Sequence, residues 1–137
     1  MNDPSQETID YVGVCRLQAA YADVVNRRAW LELGELFLPD AAVHLDTVTN
    51  PPIDLIGPLA LGEFIGAAIE RFEFFQFVIL NTRVITAVGG DPDTAHARLF
   101  MCELRQESAN GHQTNAFGVY HDHYRRHDRR WWFSGRR

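Results

Sequence analysis

The chain has 137 residues, of which 46% are hydrophobic and 23% charged, room for one compact domain and no second. Its net charge of −5 is uneven: residues 117–137 carry six Arg against two Asp, a balance of +4, which leaves −9 on residues 1–116. Most of the surface would repel a phosphate backbone, and all thirteen basic residues are Arg, so neither nucleic-acid binding nor a Schiff-base lysine is expected.

The polar start "MNDPSQETID" and the lack of any run near eighteen apolar residues point to a soluble, cytoplasmic protein with no membrane contact. Cys15 and Cys102 form no C-x-x-C pair and are read as free thiols. Residues 1–8 read as a flexible leader and 9–137 as a single domain.

From Ile9, apolar residues at Val12, Leu17, Ala20, Tyr21, Val24 and Val25 recur at three- and four-residue steps, which predicts an amphipathic helix ending near Arg27. "AWLELGELF" predicts a second, short helix stopped by Pro39. "AAVHLD" and "IDLIG" read as a hairpin, and residues 59–75 return to helical period. Strands are then expected over 77–88, 94–106, 113–126 and 130–136. The turn chemistries "GGDPD", "ESANGH" and "HDR" separate them as antiparallel neighbours. This order predicts an α+β fold in which three helices pack on one face of a curved antiparallel sheet of about six strands.

Three segments, "YADVVNRRAWLELGELFLPDAAV", "IGPLALGEFI" and "GVYHDHYRRHDRRWWFSGRR", resemble the SnoaL-like branch of the nuclear transport factor 2-like superfamily over nearly the whole chain. The resemblance implies a cone-shaped sheet around an apolar pocket, and a homodimer formed through the sheets. Members include scytalone dehydratase, hexachlorocyclohexane dehydrochlorinase, ketosteroid isomerase and polyketide cyclases. In the dehydratase and dehydrochlorinase branch an Asp orients a His that abstracts a proton. The matching positions here are Asn26 and Phe77, and neither can act as a base.

The isomerase comparison places Tyr21 at that enzyme's tyrosine and Asp122 at its second donor, which makes Tyr21 and Asp122 the catalytic candidates. Its base position falls on Leu45, with Asp46 on the opposite strand face. Strand alternation puts Tyr120, Asp122 and Tyr124 on one face and Val119, His121, His123 and Arg125 on the other. Trp132, Ser134 and Arg136 form a parity set on the last strand, and Arg136 resembles an arginine near the pocket of the dehydrochlorinase. Asp122 and Arg136 are thus expected as cross-strand neighbours, either a buried ion pair or a pair that also meets a ligand.

Asn26, Phe77, Tyr120 and Arg136 are the expected substrate-binding residues. His121 and His123 lie close enough to share a metal but lack a third ligand, so no metal and no cofactor is expected. Glu103 either enters the pocket in the parity of Leu99 and Met101 or marks the exposed end of its strand, while His44 and Asp46 are expected at the surface. Two functions remain open: a cofactor-independent lyase, isomerase or cyclase acting on a small hydrophobic, steroid-like or polyketide-like metabolite, or a non-catalytic ligand-binding or dimeric accessory protein.

Overall fold

The computed structural model describes residues 3–47 and 49–137. Helix α1 (Pro4–Arg27) has Pro at its first turn, where a missing N–H costs nothing, and includes residues 4–8 of the expected leader; residues 1 and 2 of that leader lie outside the described residues. A 3₁₀ turn, Trp30–Glu35, leads into the hairpin β1 (Phe37–Thr47) and β2 (Asn50–Ile56). Then come α2 (Gly57–Ile69), β3 (Phe72–Thr86), β4 (Thr94–Glu107), β5 (Gln113–His127) and β6 (Arg130–Arg136).

The six strands form one sheet in the order β2-β1-β6-β5-β4-β3. The expected cone-shaped antiparallel sheet is corrected on two counts. The sheet is mixed, because β6 inserts beside β1 in parallel, with Phe37 opposite Phe133 and Val43 opposite Arg136. It is also open, with β2 and β3 as unjoined edges, and is neither closed nor strongly curled. The three expected helices are two α-helices and the short 3₁₀ turn.

Local chemistry explains the other shifts. Pro39, expected to stop a helix, lies inside β1 where the register against β6 slips between Phe37 and Ala42; a residue without an N–H is tolerated at such an irregularity. The third predicted helix ends at Ile69, and Phe72 and Phe75 turn inward from a strand. Aromatic residues suit a pleated, half-buried surface better than a helix end.

On α1 the buried face is Asp10, Val14, Leu17, Gln18, Tyr21, Val24 and Val25, whereas Ile9 is 62% exposed and Val12 is also exposed. The interior between α1 and the sheet is filled with the protein's own rings: Phe37 and Phe133 stack at 4.5 Å, and Tyr21 meets both edge-on at 6.0 and 5.8 Å.

Gly57 opens α2 with φ +85°, and a Cβ there would stand 2.7 Å from the Pro39 carbonyl oxygen. Gly57→Ala is expected to cost about 2 kcal/mol, from the left-handed backbone and the collision together. Urea unfolding of the two proteins measures it.

Candidate functional site

Arg136 enters the interior because β6 breaks its alternation. His123 pairs with Gly135 and Tyr124 with Phe133, so Ser134 is bulged out, and Phe133 and Arg136 both point inward. The expected parity set of Trp132, Ser134 and Arg136 is thereby corrected: Trp131, Phe133 and Arg136 are the buried residues of this strand. Asp122 lies directly opposite Arg136, the expected neighbours, brought there by the bulge and not by regular alternation.

The two side chains form a fork. Arg136 Nε donates to Asp122 Oδ1 at 2.7 Å and Nη2 to Oδ2 at 2.9 Å, with Asp122 1% and Arg136 3% exposed. A bidentate pair of this kind offsets the desolvation of both charges only if the remaining polar atoms are satisfied. Tyr124 Oη donates to Asp122 Oδ2 at 3.1 Å, and Gln18 Nε2 donates to Tyr124 Oη at 2.9 Å and to Thr82 Oγ1 at 3.0 Å. Asp122 therefore has both oxygens engaged.

The Arg136 Nη1 is buried without a partner among the described residues. Its guanidinium carbon lies 4.2 Å from the Tyr21 ring centroid and 4.0 Å from that of Tyr120, a cation held between two π faces. Phe77 completes the enclosure, edge-on to Tyr21 at 5.3 Å and stacked with Tyr120 at 6.3 Å.

Electrostatics follow the geometry. Burial opposes the Arg136 charge, but Asp122 more than offsets it and holds the guanidinium above its ordinary pKa. Burial pushes the Tyr21 hydroxyl up, Arg136 pulls it back, and Asp122 and Glu103 add to the rise. Burial likewise raises Tyr120, with further contributions from Tyr21 and Glu103. Tyr124 is raised well above its usual value by burial and then by Asp122.

Asn26 sits at the end of α1 and bonds the backbone of Phe77 twice: Phe77 N donates to Oδ1 at 2.7 Å, and Nδ2 donates to the Phe77 carbonyl at 3.2 Å. An amide supplies one acceptor and one donor, so Asn26 closes the free edge of β3 as a further strand would. Arg28 adds a bond from Nη2 to the Phe72 carbonyl at 2.6 Å.

Glu103 is opposite Phe77 on β4, half-buried, and held by Arg105 Nη2 at 2.6 Å. It is the carboxylate that residue parity places on the inner face. Asp46 stays exposed although the strand register does slip between Leu45 and Thr47, and His44 pairs with Asp54 across the hairpin at 2.6 Å. On the outer sheet face the His96 and His123 rings are 6.3 Å apart. Among the described residues no three His, Cys, Asp or Glu are grouped to hold a metal ion. Gln18 and Asp10 are the inward polar residues that apolar periodicity passes over; both fall on the face of Val14, Leu17 and Tyr21, and that spacing was the available signal.

Helices on an open mixed sheet, with a buried arginine fork among aromatic rings, define the architectural class. The chain belongs to the SnoaL-like domain family, whose model matches residues 6–137. No curated protein matches the chain significantly by sequence. Among solved structures it is similar to a provisionally assigned scytalone dehydratase from Novosphingobium aromaticivorans, with 16% identity over 98% of this chain and 85% of that one and a TM-score of 0.83. It is similar to the hexachlorocyclohexane dehydrochlorinase LinA-type3 from Novosphingobium barchaimii, with 16% identity over 98% and 88% of the two chains and a TM-score of 0.81. The third is Aln2 from a Streptomyces species, with 17% identity over 99% and 90% and a TM-score of 0.77. At these identities the likeness speaks to the fold.

Two outcomes are expected from the fork and its tyrosines. Arg136→Met should cost about 3–5 kcal/mol because it leaves Asp122 buried and unpaired, and adding Asp122→Leu should recover a large part of that loss; urea unfolding of single and double variants reads both. The tyrosines act at the alkaline end. Because their folded pKa values lie above the unfolded one, their contribution is constant below about pH 10 and is lost above it, by about 1.4 kcal/mol per pH unit for each. Stability measured from pH 8 to 11.5 should show this slope, and Tyr124→Phe should reduce it.

Proposed function

We propose that the chain is a cofactor-independent enzyme of the lyase, isomerase or cyclase type, acting on a small hydrophobic metabolite that carries an enolisable carbonyl. The observation that carries this reading is the unpartnered Nη1 of Arg136, buried between Tyr21 and Tyr120. A buried donor without a partner is costly and is satisfied by a ligand oxygen. Two tyrosine hydroxyls that resist ionisation remain donors across the physiological range.

In this reading Arg136, Tyr21 and Tyr120 stabilise the negative charge that develops on the carbonyl oxygen as an enolate forms. Asp122 orients Arg136, and Phe77 supplies an apolar wall beside the reacting carbon. Glu103 takes the α-proton, the role that Asn26 and Phe77 cannot fill. The substrate enters where Tyr120 and Glu103 are half-buried. Asn26 acts on the site through the Phe77 backbone.

The outer sheet face exposes Leu80, Phe100, Val119 and Phe117, the last at 73%, which supports a homodimer through the sheet with His121 and His123 near the interface. Free Cys15 and Cys102 are in keeping with a cytoplasmic location. No helix among the described residues is long and apolar enough to cross a membrane.

A second reading, a ligand binder without chemistry, is favoured by the two backbone bonds of Asn26, which commit the family's acid position to structure. Deuterium exchange at the α-carbons of 2-tetralone, followed by NMR, separates the two. An enzyme should accelerate exchange, and Tyr21→Phe and Glu103→Gln should each lower the rate by about tenfold or more with the fold intact. Saturable binding of the ketone without accelerated exchange supports the binder.

A further inference from the structure

A concavity lies at the N-terminal end of α1, walled by the N-terminal half of the helix, the end of the 3₁₀ turn and the β5–β6 hairpin, with a volume of about 730 Å³. Asp10 and Tyr21 are eleven residues apart on α1, about 16 Å along the axis, so this groove is separate from the Arg136 site.

Asp10 is 1% exposed and belongs to the groove wall. Its Oδ1 accepts from Arg126 Nη1 at 2.6 Å and from Gln6 Nε2 at 2.9 Å, while its Oδ2 has no partner among the described residues. A buried carboxylate oxygen left open calls for a donor. All three Arg126 nitrogens are already engaged, Nη1 on Asp10 Oδ1 and the other two on Asp93 and Pro92. Arg130 donates to the Glu35 carbonyl and lies over the Trp132 ring.

Arg16 and Arg129 also line the groove, and among the described residues neither side chain has a hydrogen-bond or ion-pair partner. Across the wall four arginines face Asp10 and Glu35, a net positive balance. Arg129 is held at φ +66° and its neighbour Asp128 at φ +52°, a two-residue hairpin turn in which glycine is the usual second residue. An arginine tolerated in the left-handed region is a local cost, and such costs concentrate at functional positions.

The remaining wall is apolar. Ile9 and Val12, which helical periodicity assigns to the core, instead border this groove together with Trp131. Trp131 packs so closely on α1 that a Cβ on Gly13 would be 2.8 Å from its Cδ1.

We infer that this groove is a binding site for a small carboxylate with an apolar body and a hydroxyl or N–H donor. The carboxylate lies against Arg16 and Arg129, the donor meets Asp10 Oδ2, and the apolar body covers Ile9, Val12 and Trp131. The paired acceptor and cations select a ligand that carries both groups over one that carries only the acid.

The test uses 3-phenyllactate as probe, with 3-phenylpropionate lacking the donor and methyl 3-phenyllactate lacking the anion, in calorimetry and in NMR of the tryptophan indoles. Phenyllactate should bind saturably and shift the Trp131 indole, and both analogues should bind about tenfold more weakly or less. Arg16→Gln and Arg129→Gly should each weaken phenyllactate about tenfold. Arg129→Gly should also raise the Tm, because glycine suits the turn, an outcome that a merely structural role for Arg129 would reverse. Tyr21→Phe should leave phenyllactate binding unchanged. Absence of saturation up to about 10 mM probe, indifference to both arginine substitutions, or loss of binding in Tyr21→Phe would overturn the assignment.

Discussion

The buried fork between Arg136 and Asp122 is the constraint around which the interior is organised. Two charges removed from water demand partners for their remaining polar atoms, and residues from three separate elements supply them at every atom of the pair except Arg136 Nη1. Gln18 on α1 reaches Tyr124 on β5, Tyr124 reaches Asp122, and Asp122 receives Arg136 from β6. A one-residue slip of β6 would carry Arg136 to the other face and leave Asp122 unpaired. The bulge at Ser134 is what allows Phe133 and Arg136 to be buried together, one joining the aromatic core and the other the fork.

The same fork connects fold to chemistry. By saturating Asp122 it leaves the guanidinium with a fixed orientation and one nitrogen without a partner among the described residues, and the rings of Tyr21 and Tyr120 both pack against it. Such a group needs little reorganisation when negative charge develops beside it, which is the physical requirement for an oxyanion donor. At the end of α1, Asn26 is spent on the backbone of the edge strand β3, where its amide supplies one acceptor and one donor to Phe77.

Local signals in the sequence carried much of this arrangement. The turn residues between β3, β4, β5 and β6 identify those antiparallel neighbours, whereas the bulge at Ser134 that brings Asp122 opposite Arg136 has no such local signal. The parallel pairing of β1 with β6 joins residues nearly a hundred positions apart and has no turn to announce it. That pairing makes the sheet mixed. Residues 72–75 carry an ambiguous pattern, since Phe72 and Phe75 fit a helical step as well as a strand surface. Counting apolar residues alone also misplaced the buried face of α1, because Asp10 and Gln18 occupy inward positions and Ile9 and Val12 do not.

That displacement has a physical logic common to both ends of the helix. Each buried polar residue of α1 reaches across to the sheet, Gln18 to Tyr124 and Asp10 to Arg126, and both partners lie on β5 two residues apart. The helix is therefore fastened to the sheet by two polar bonds as well as by its apolar stripe, and polar bonds fix rotation about the helix axis more narrowly than apolar contact does. With α1 held in that rotation, Tyr21 stands over Arg136 at one end, while Ile9 and Val12 are turned out beside Arg129 at the other. A single rotational setting thus determines which side chains face the fork and which line the groove.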